Sequence, residues 1–265
     1  MKLFRIGKKA RVYDKILKNV EKRPLHFVLI DPDPSKNDAE TLKQKARMLN
    51  DIRPDAIMIG GSSGFGQDTL DAAVKTFKDN CKAPVILFPG NISGVSKYAD
   101  AIFFMSLLNS NNPYWITGAQ AMASAVVREN GVEPIGMGYI IIEPGGTVSF
   151  VGDAKLIPRD KPEMAAAYAL AAQYLGMKIV YLEAGSGAND PVPVETVAVT
   201  KKLIDVPLIV GGGMRTPESV LERLQAGADI IVTGTASEDD PALEKIRAIN
   251  QTIKKFKRAP FCLKK

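Results

Sequence analysis

Apolar residues arrive along this chain in eight short bursts, separated by longer stretches of mixed character. The bursts are HFVLID (26–31), AIMIGG (56–61), PVILFPG (84–90), AIFFMS (101–106), EPIGMGYIII (133–142), IVYLEAG (179–185), PLIVGGG (207–213) and DIIVTGT (229–235). Most are nearly continuously apolar and rich in β-branched residues, as strands covered on both faces should be. Between most of them the apolar positions fall at helical spacing. DAETLKQKARMLNDI shows this, as does TPESVLERLQAGA, which opens on Thr216 and Pro217, a capping residue followed by a first-turn proline. Strand and helix alternating in this way predict an α/β fold, a parallel TIM (β/α)8 barrel in one domain. The interval between the third and fourth bursts leaves little room for a full helix. A doubly wound open sheet is the structural rival, but neither GGSSGFGQ nor GSGAND fits the G-x-G-x-x-G dinucleotide pattern. No Pro/Gly/Ser-rich linker divides the chain. Residues 1–25 are expected to form a basic helix that closes the barrel's bottom, 26–250 the barrel itself, and 251–265 a basic tail.

Composition agrees with this picture and removes several classes. The chain has 265 residues, 46% of them hydrophobic, enough for one sizeable core. No apolar run reaches the roughly 18 residues of a membrane span, and MKLFRIGKKARVYDK lacks the apolar centre of a secretory signal. Two cysteines, Cys81 and Cys262, and one histidine, His26, argue against a disulfide framework or a Cys/His zinc site. A cytoplasmic protein is expected. Asn91-Ile92-Ser93 matches a glycosylation acceptor, but nothing routes the chain to secretion.

Charge changes the picture once it is divided. Residues 1–24 carry a net +7 and residues 245–265 a net +8, so the body between them carries −9 within a total of +6. A dianionic ligand therefore cannot be held by bulk positive charge on the body and needs local donors.

Barrel chemistry sits where strands end, and several of these bursts end in polar residues or glycine. Tyr181 and Glu183 share one face of their strand because side chains alternate with period two; if that face is the inner one, a phenol and a carboxylate share the mouth. The alternative for Glu183 is a structural ion pair, but the tiny residues after it, Ala184, Gly185, Ser186 and Gly187, are hard to explain by packing alone. They allow backbone N–H groups to approach an anion. VGGGMRTPE and VTGTASE repeat that logic on the seventh and eighth bursts, where barrels often bind phosphate. Three or four such charge-assisted bonds, at roughly 1.5–3 kcal/mol each, could hold a phosphate without a lysine. LIDPDP adds Asp31, which with the Ser62 hydroxyl could anchor magnesium, an ion that takes one or two carboxylates and completes its shell with water and substrate phosphates. Asp33 reads as a turn-former beside prolines, and His26, at the opposite end of its strand, as structural. Segment 89–127 is rich in Phe, Met, Leu, Tyr and Trp; beyond ordinary core and a subunit contact, it can build a greasy groove for a long hydrocarbon.

Taken in order, LIDPDP, IMIGGSSG, ILFPGNISGVSKYADAIFFMSLLNSNNPYWITGAQ, GYIIIEPGGTVSFVGDAKLIPRDKP, YLEAGSGA, VGGGMR and VTGT resemble the geranylgeranylglyceryl phosphate synthases, specifically their second group. These are prenyltransferases that begin archaeal ether-lipid assembly, and the resemblance runs from about His26 to Ile249. It implies a modified TIM barrel acting on sn-glycerol 1-phosphate and geranylgeranyl diphosphate, with Mg2+ on Asp31 and Ser62. Tyr181, Leu182, Glu183, Ala184, Gly185, Ser186 and Gly187, with Gly212, Gly213, Gly234 and Thr235, would bind glycerol phosphate. Glu183 would deprotonate the glycerol 3-hydroxyl, and the electron-rich ring of Tyr181 would tolerate the cationic allylic carbon. First-group members carry a lysine two residues before the metal aspartate; Leu29 stands there instead, which leaves phosphate binding to the amides. The resemblance also implies a homo-oligomer, a dimer or a hexamer. The basic ends are expected to rest on an anionic membrane surface, at about 1 kcal/mol for each Lys or Arg near it. Two rivals stand beside this reading. Another phosphate-binding barrel, such as a sugar-phosphate isomerase, would need neither Mg2+ nor the apolar segment. A nucleic-acid binder using the basic ends would be indifferent to Glu183.

Overall fold

The computed structural model describes residues 11–33, 35, 37–60, 66–234 and 240–257, with backbone alone for 240 and 241. Ser62, Thr235, Cys262 and the basic residues Lys2, Arg5, Lys8, Lys9, Arg258, Lys264 and Lys265 lie outside the described residues. Eight parallel strands close into a barrel in chain order. They are β1 (Leu25–Ile30), β2 (Ala56–Gly60), β3 (Val85–Phe88), β4 (Ala101–Leu107), β5 (Glu133–Ile141), β6 (Ile179–Glu183), β7 (Leu208–Gly211) and β8 (Ile230–Gly234). Each falls on one of the eight apolar bursts. The helices are α1 (Val12–Val20), α2 (Ala39–Ile52), α3 (Gln67–Asn80), α4 (Ala119–Glu129), α5 (Gly146–Val151), α6 (Pro162–Tyr174), α7 (Val194–Leu203), α8 (Pro217–Gln225) and α9 (Asp240–Lys255).

Local chemistry starts the helices where the sequence marks them. Asp38 caps α2 by accepting the Thr41 amide at 2.7 Å, and Thr216 caps α8 by accepting that of Ser219 at 3.2 Å. Packing follows the two-residue period of the strands. Phe27, Met58, Phe88, Phe103, Tyr139 and Tyr181 point inward and form one cluster, while Val28, Ile57, Leu87, Val180 and Leu182 point outward against the helices. Val12, Ile16 and Val20 of α1 join the inward cluster, and Glu133 at the start of β5 accepts the Val12 amide at 2.6 Å. That helix therefore packs across the N-terminal ends of the strands. At the chain's other end α9 runs on to Lys255, so residues 251–255 are helix where the charge pattern implies tail. Ile246, Ile249 and Ile253, spaced three and four apart, are buried and hold it there.

One helix is missing from the ring. Residues 89–100 pass from β3 to β4 without one, and the seam between these strands carries only two paired positions, Ile86 with Ala101 and Leu87 with Ile102. The cavity described below opens into that gap.

His26 is fully buried between β1 and α9. Asn250 donates its amide to the Ile52 carbonyl at 2.6 Å, which turns its oxygen toward His26 Nδ1 at 3.2 Å. Nδ1 therefore carries the proton, and Nε2, 2.9 Å away, accepts from the Thr233 hydroxyl. Burial in this neutral network pulls the imidazole down from 6.5 to about 4. Since the folded value lies below the unfolded one, the unfolded chain takes up the proton first, and stability present at neutral pH is lost as pH falls from about 6.5 toward 4. Urea unfolding at pH 7.5 and 4.5 should therefore show a His26→Gln variant losing about 2–3 kcal/mol less than the wild type over that interval.

Candidate active site

At the C-terminal ends of the strands lies a cavity of about 640 Å³. Its floor is the top of the inward cluster. Phe88, Tyr139 and Tyr181 meet there with ring centroids 5.1–5.8 Å apart, Tyr139 lying edge-on to the other two. Strand register sets this arrangement: Tyr139 of β5 pairs with Tyr181 of β6, and Ile141 with Glu183. Tyr181 and Glu183 do share the inner face, and both tyrosine hydroxyls reach the Glu183 carboxylate.

Glu183 is the chemical centre of the cavity. Its Oε1 also accepts the Gly185 amide at 2.7 Å. Burial raises the carboxyl above its ordinary value, and the bonds from Tyr181, Gly185 and Tyr139 pull the other way without cancelling that rise. The group is a carboxylate made more basic than usual, as a general base requires. Burial first, and the neighbouring carboxylate second, hold both phenols well above 10, so they remain protonated donors.

Glycine next door is a steric necessity. A Cβ on Gly211 would stand 2.1 Å from the Tyr181 hydroxyl, and one on Gly212 would stand 2.3 Å from Glu183 Oε1. Gly212 also sits at φ +80°, where a side chain is strained. The β6 loop is fastened from both sides: Gly145 donates to the Ala184 carbonyl at 2.9 Å, and Arg215 Nη2 to that of Gly187 at 2.7 Å.

The sequence-predicted residues separate into three groups. Asp31, Glu183, Ser186 and Gly234 line the one cavity. Leu182 and Ala184 belong to the outward cluster, so their side chains face the helices and only their backbone is near the mouth. The Ala184 amide is moreover taken by the Gly211 carbonyl at 3.2 Å, and that of Gly185 by Glu183. The amides of Ser186 and Gly187 meet no protein acceptor among the described residues, and Gly213 packs against Pro191. Tyr181, 1% exposed, lies beneath the floor, and the phenol that lines the cavity is Tyr139. Its ring, and not that of Tyr181, forms part of the cavity wall. Asp33 makes the expected turn, its Oδ1 accepting from the Ser35 amide at 2.9 Å and hydroxyl at 2.7 Å. Ser62 and Thr235 are outside the described residues.

Two groups escape a reading of strand ends. Tyr139 lies inside a longer apolar burst, and only its register opposite Tyr181 marks it. Lys45 lies on a helix, so a cavity without a lysine is not what the structure shows. It interrupts the buried stripe Leu42, Ala46, Leu49 and Ile52 of α2, is itself 4% exposed, and lines the cavity. A cation on an apolar helical stripe is the signal that could have found it.

Away from these polar groups the cavity becomes apolar. It is lined by inward-facing Phe103 and by outward-facing Ile102 and Phe104, so it leaves the barrel mouth and passes over β4 into the gap where the helix is missing. Ile92 and Val95 wall one side there. Trp115, on a single π-helical turn (Tyr114–Gly118), continues the wall with Ala119 and Ala123 of α4 and Val148 and Val151 of α5.

The PcrB family profile matches residues 17–253 of the chain. Geranylgeranylglyceryl phosphate synthase of Pyrococcus horikoshii is 56% identical over 251 residues, covering 95% of this chain and 97% of the relative. The enzyme of that name from Pyrococcus furiosus is 58% identical over 244 residues, covering 92% and 95%. Among solved structures, (S)-3-O-geranylgeranylglyceryl phosphate synthase from Thermoplasma acidophilum, crystallised with its substrate sn-glycerol-1-phosphate, is similar with a TM-score of 0.89. That chain is 40% identical, and the match covers 94% of this chain and all of the other.

The raised carboxyl makes a prediction about stability. Its folded value lies above the unfolded one, so the stabilisation it brings is present below about 4.5 and lost as pH rises through the raised value. At pH 7.5 a Glu183→Gln variant should therefore melt at the same temperature as the wild type or higher, with the wild type gaining on it as the pH is lowered toward 4.5. Thermal unfolding followed by circular dichroism checks both statements.

Proposed function

The chain belongs to the PcrB family, and from that premise we propose that it is a prenyltransferase joining geranylgeranyl diphosphate to the 3-hydroxyl of sn-glycerol 1-phosphate. The single observation that carries this reading is one cavity with a buried, basic carboxylate at its polar end and an apolar arm leaving through a gap in the helix ring. A sugar-phosphate isomerase would leave that arm without a purpose.

Each part then has a task. The amides of Ser186 and Gly187, which meet no acceptor among the described residues, hold the glycerol phosphate at the β6 end. Glu183, kept in one orientation by Tyr139, Tyr181 and Gly185, takes the proton of the attacking hydroxyl. The electron-rich ring of Tyr139, at the cavity wall, would stabilise the allylic carbon, which gains positive character as its bond to diphosphate weakens. An ether bond forms and diphosphate leaves.

The resemblance to the synthases also implies Mg2+, and the donor set fits that ion. Asp31 offers a carboxylate at the cavity wall. That suits a hard cation that takes one or two carboxylates and completes its shell with substrate phosphates. Asp31 would hold it, with Ser62 as the second ligand; bound there, Mg2+ would neutralise charge on the diphosphate. The proposed setting is the cytoplasm, with the enzyme meeting its amphiphilic donor at an anionic membrane surface. No helix among the described residues is long and apolar enough to cross a membrane.

Burying the tail contributes on the order of 0.8 kcal/mol per CH₂, more in sum than two or three hydrogen bonds, so arm depth should set the preferred chain length. The test combines purified protein, glycerol 1-phosphate and labelled prenyl diphosphates of several lengths, with Mg2+ or with EDTA. Ether product is expected only with the metal, and no product under either condition removes the reading. Glu183→Gln should lower kcat by about 10²- to 10⁴-fold while leaving the affinity for inorganic pyrophosphate close to that of the wild type. Ala123→Phe, on the α4 wall of the arm, should shift preference toward shorter donors without reducing the rate on the shortest; an unchanged length profile would place the tail elsewhere.

A further inference from the structure

Lys45 stands in a place that packing does not explain. A lysine is almost never fully buried without a compensating partner, because removing its ammonium from water costs far more than its stem gains. Here it occupies the inner stripe of α2, where leucine would complete the pattern of Leu42, Ala46, Leu49 and Ile52. The local structure is built to hold the ammonium at the cavity wall. Lys45 Nζ donates to Asn37 Oδ1. Asn37, also buried, donates its side-chain amide to the Asp31 carbonyl at 2.9 Å and its backbone amide to the Asp33 carbonyl at 2.9 Å. One asparagine thus ties the lysine to the loop that carries Asp31. Among the described residues Lys45 is the one cationic side chain that lines the cavity.

Position decides which anion it serves. The unoccupied amides of the β6 loop lie on one side of the mouth, with β7 and β8 between them and β1. Lys45 belongs to α2, the helix between β1 and β2, and lines the same cavity as Gly60, Phe88 and the apolar residues of β4. A prenyl donor carries its hydrocarbon and its diphosphate on one molecule. With the tail in the arm, its charged head falls on the β1–β2 side, opposite the glycerol phosphate.

Resting on the transferase reading above, we propose that Lys45 binds the diphosphate of the prenyl donor directly and that Asn37 is its positioning residue. In the transfer step the C1–O bond of the donor breaks and its electron pair leaves on the diphosphate. The new C–O bond forms to the glycerol oxygen, whose proton passes to Glu183. Lys45 lends its charge to the group that receives the pair.

The test is calorimetry of inorganic pyrophosphate, in the presence of Mg2+, with the full chain and the variants Lys45→Met, Lys45→Arg and Asn37→Ala, repeated with glycerol 1-phosphate. Lys45→Met should weaken pyrophosphate by about 10- to 100-fold while moving glycerol 1-phosphate by less than about two-fold. The kcat/KM for the prenyl donor should fall by a similar factor. Lys45→Arg should recover part of the loss, and Asn37→Ala, which keeps the cation but loosens it, should show a smaller loss of the same kind. A lysine kept only for structure predicts the reverse: a folded Lys45→Met with wild-type pyrophosphate affinity, which overturns the proposal. Should Lys45→Met fail to fold, unchanged pyrophosphate affinity in both Lys45→Arg and Asn37→Ala overturns it equally. The two readings fail separately. A wild type that binds pyrophosphate but forms no ether sinks the transferase and leaves the lysine contact standing, whereas wild-type turnover in Lys45→Met sinks the lysine alone.

Discussion

A carboxylate cannot be buried at the floor of a cavity unless something holds it, and Glu183 is held by two phenols and one backbone amide. Much of the site follows from that requirement. The phenols must come from adjacent strands in register, which fixes Tyr139 opposite Tyr181. The amide must come from two residues further along, which bends the chain after β6 into a loop of small residues. The space taken by the Tyr181 hydroxyl and the carboxylate forbids any side chain at Gly211, which ends the next strand, and at Gly212 just after it. The donors do not make the group an ordinary acid: burial outweighs them, and the net rise in its proton affinity is what suits it to take a proton from an alcohol.

Much of this was legible in the chain because a barrel repeats its own grammar. Eight bursts become eight staves, and the change from apolar to tiny residues after Glu183 marks a mouth. Asp31 and Glu183 were found because each stands where a strand ends, and strand ends in this architecture gather at one rim. The turn at Asp33 and the buried role of His26 were readable for the same reason, one following the rim and the other lying far from it.

What escaped reading did so for physical reasons. Tyr139 hides in a burst that is apolar throughout, and only pairing across strands shows which of its residues look inward. Lys45 and Asn37 reach the cavity from a helix and the loop before it, and no rule about strand ends points there. Leu182 and Ala184 were gathered in with their neighbours as a continuous segment, but period two sends alternate side chains to the opposite face, so a run of seven residues cannot act as seven side chains. The extent of α9 was obscured by its charge: lysines on the wet face of a helix look like a tail until the isoleucines between them are placed.

The absent helix between β3 and β4 has a consequence for how such a protein can change. Chemistry is fastened to staves that the whole cask depends on, whereas the apolar arm is walled by a loop, a π-helical turn and the faces of α4 and α5. None of those pieces carries a stave. A lineage adapting to a longer or shorter hydrocarbon can therefore recut the annex and leave the hearth untouched.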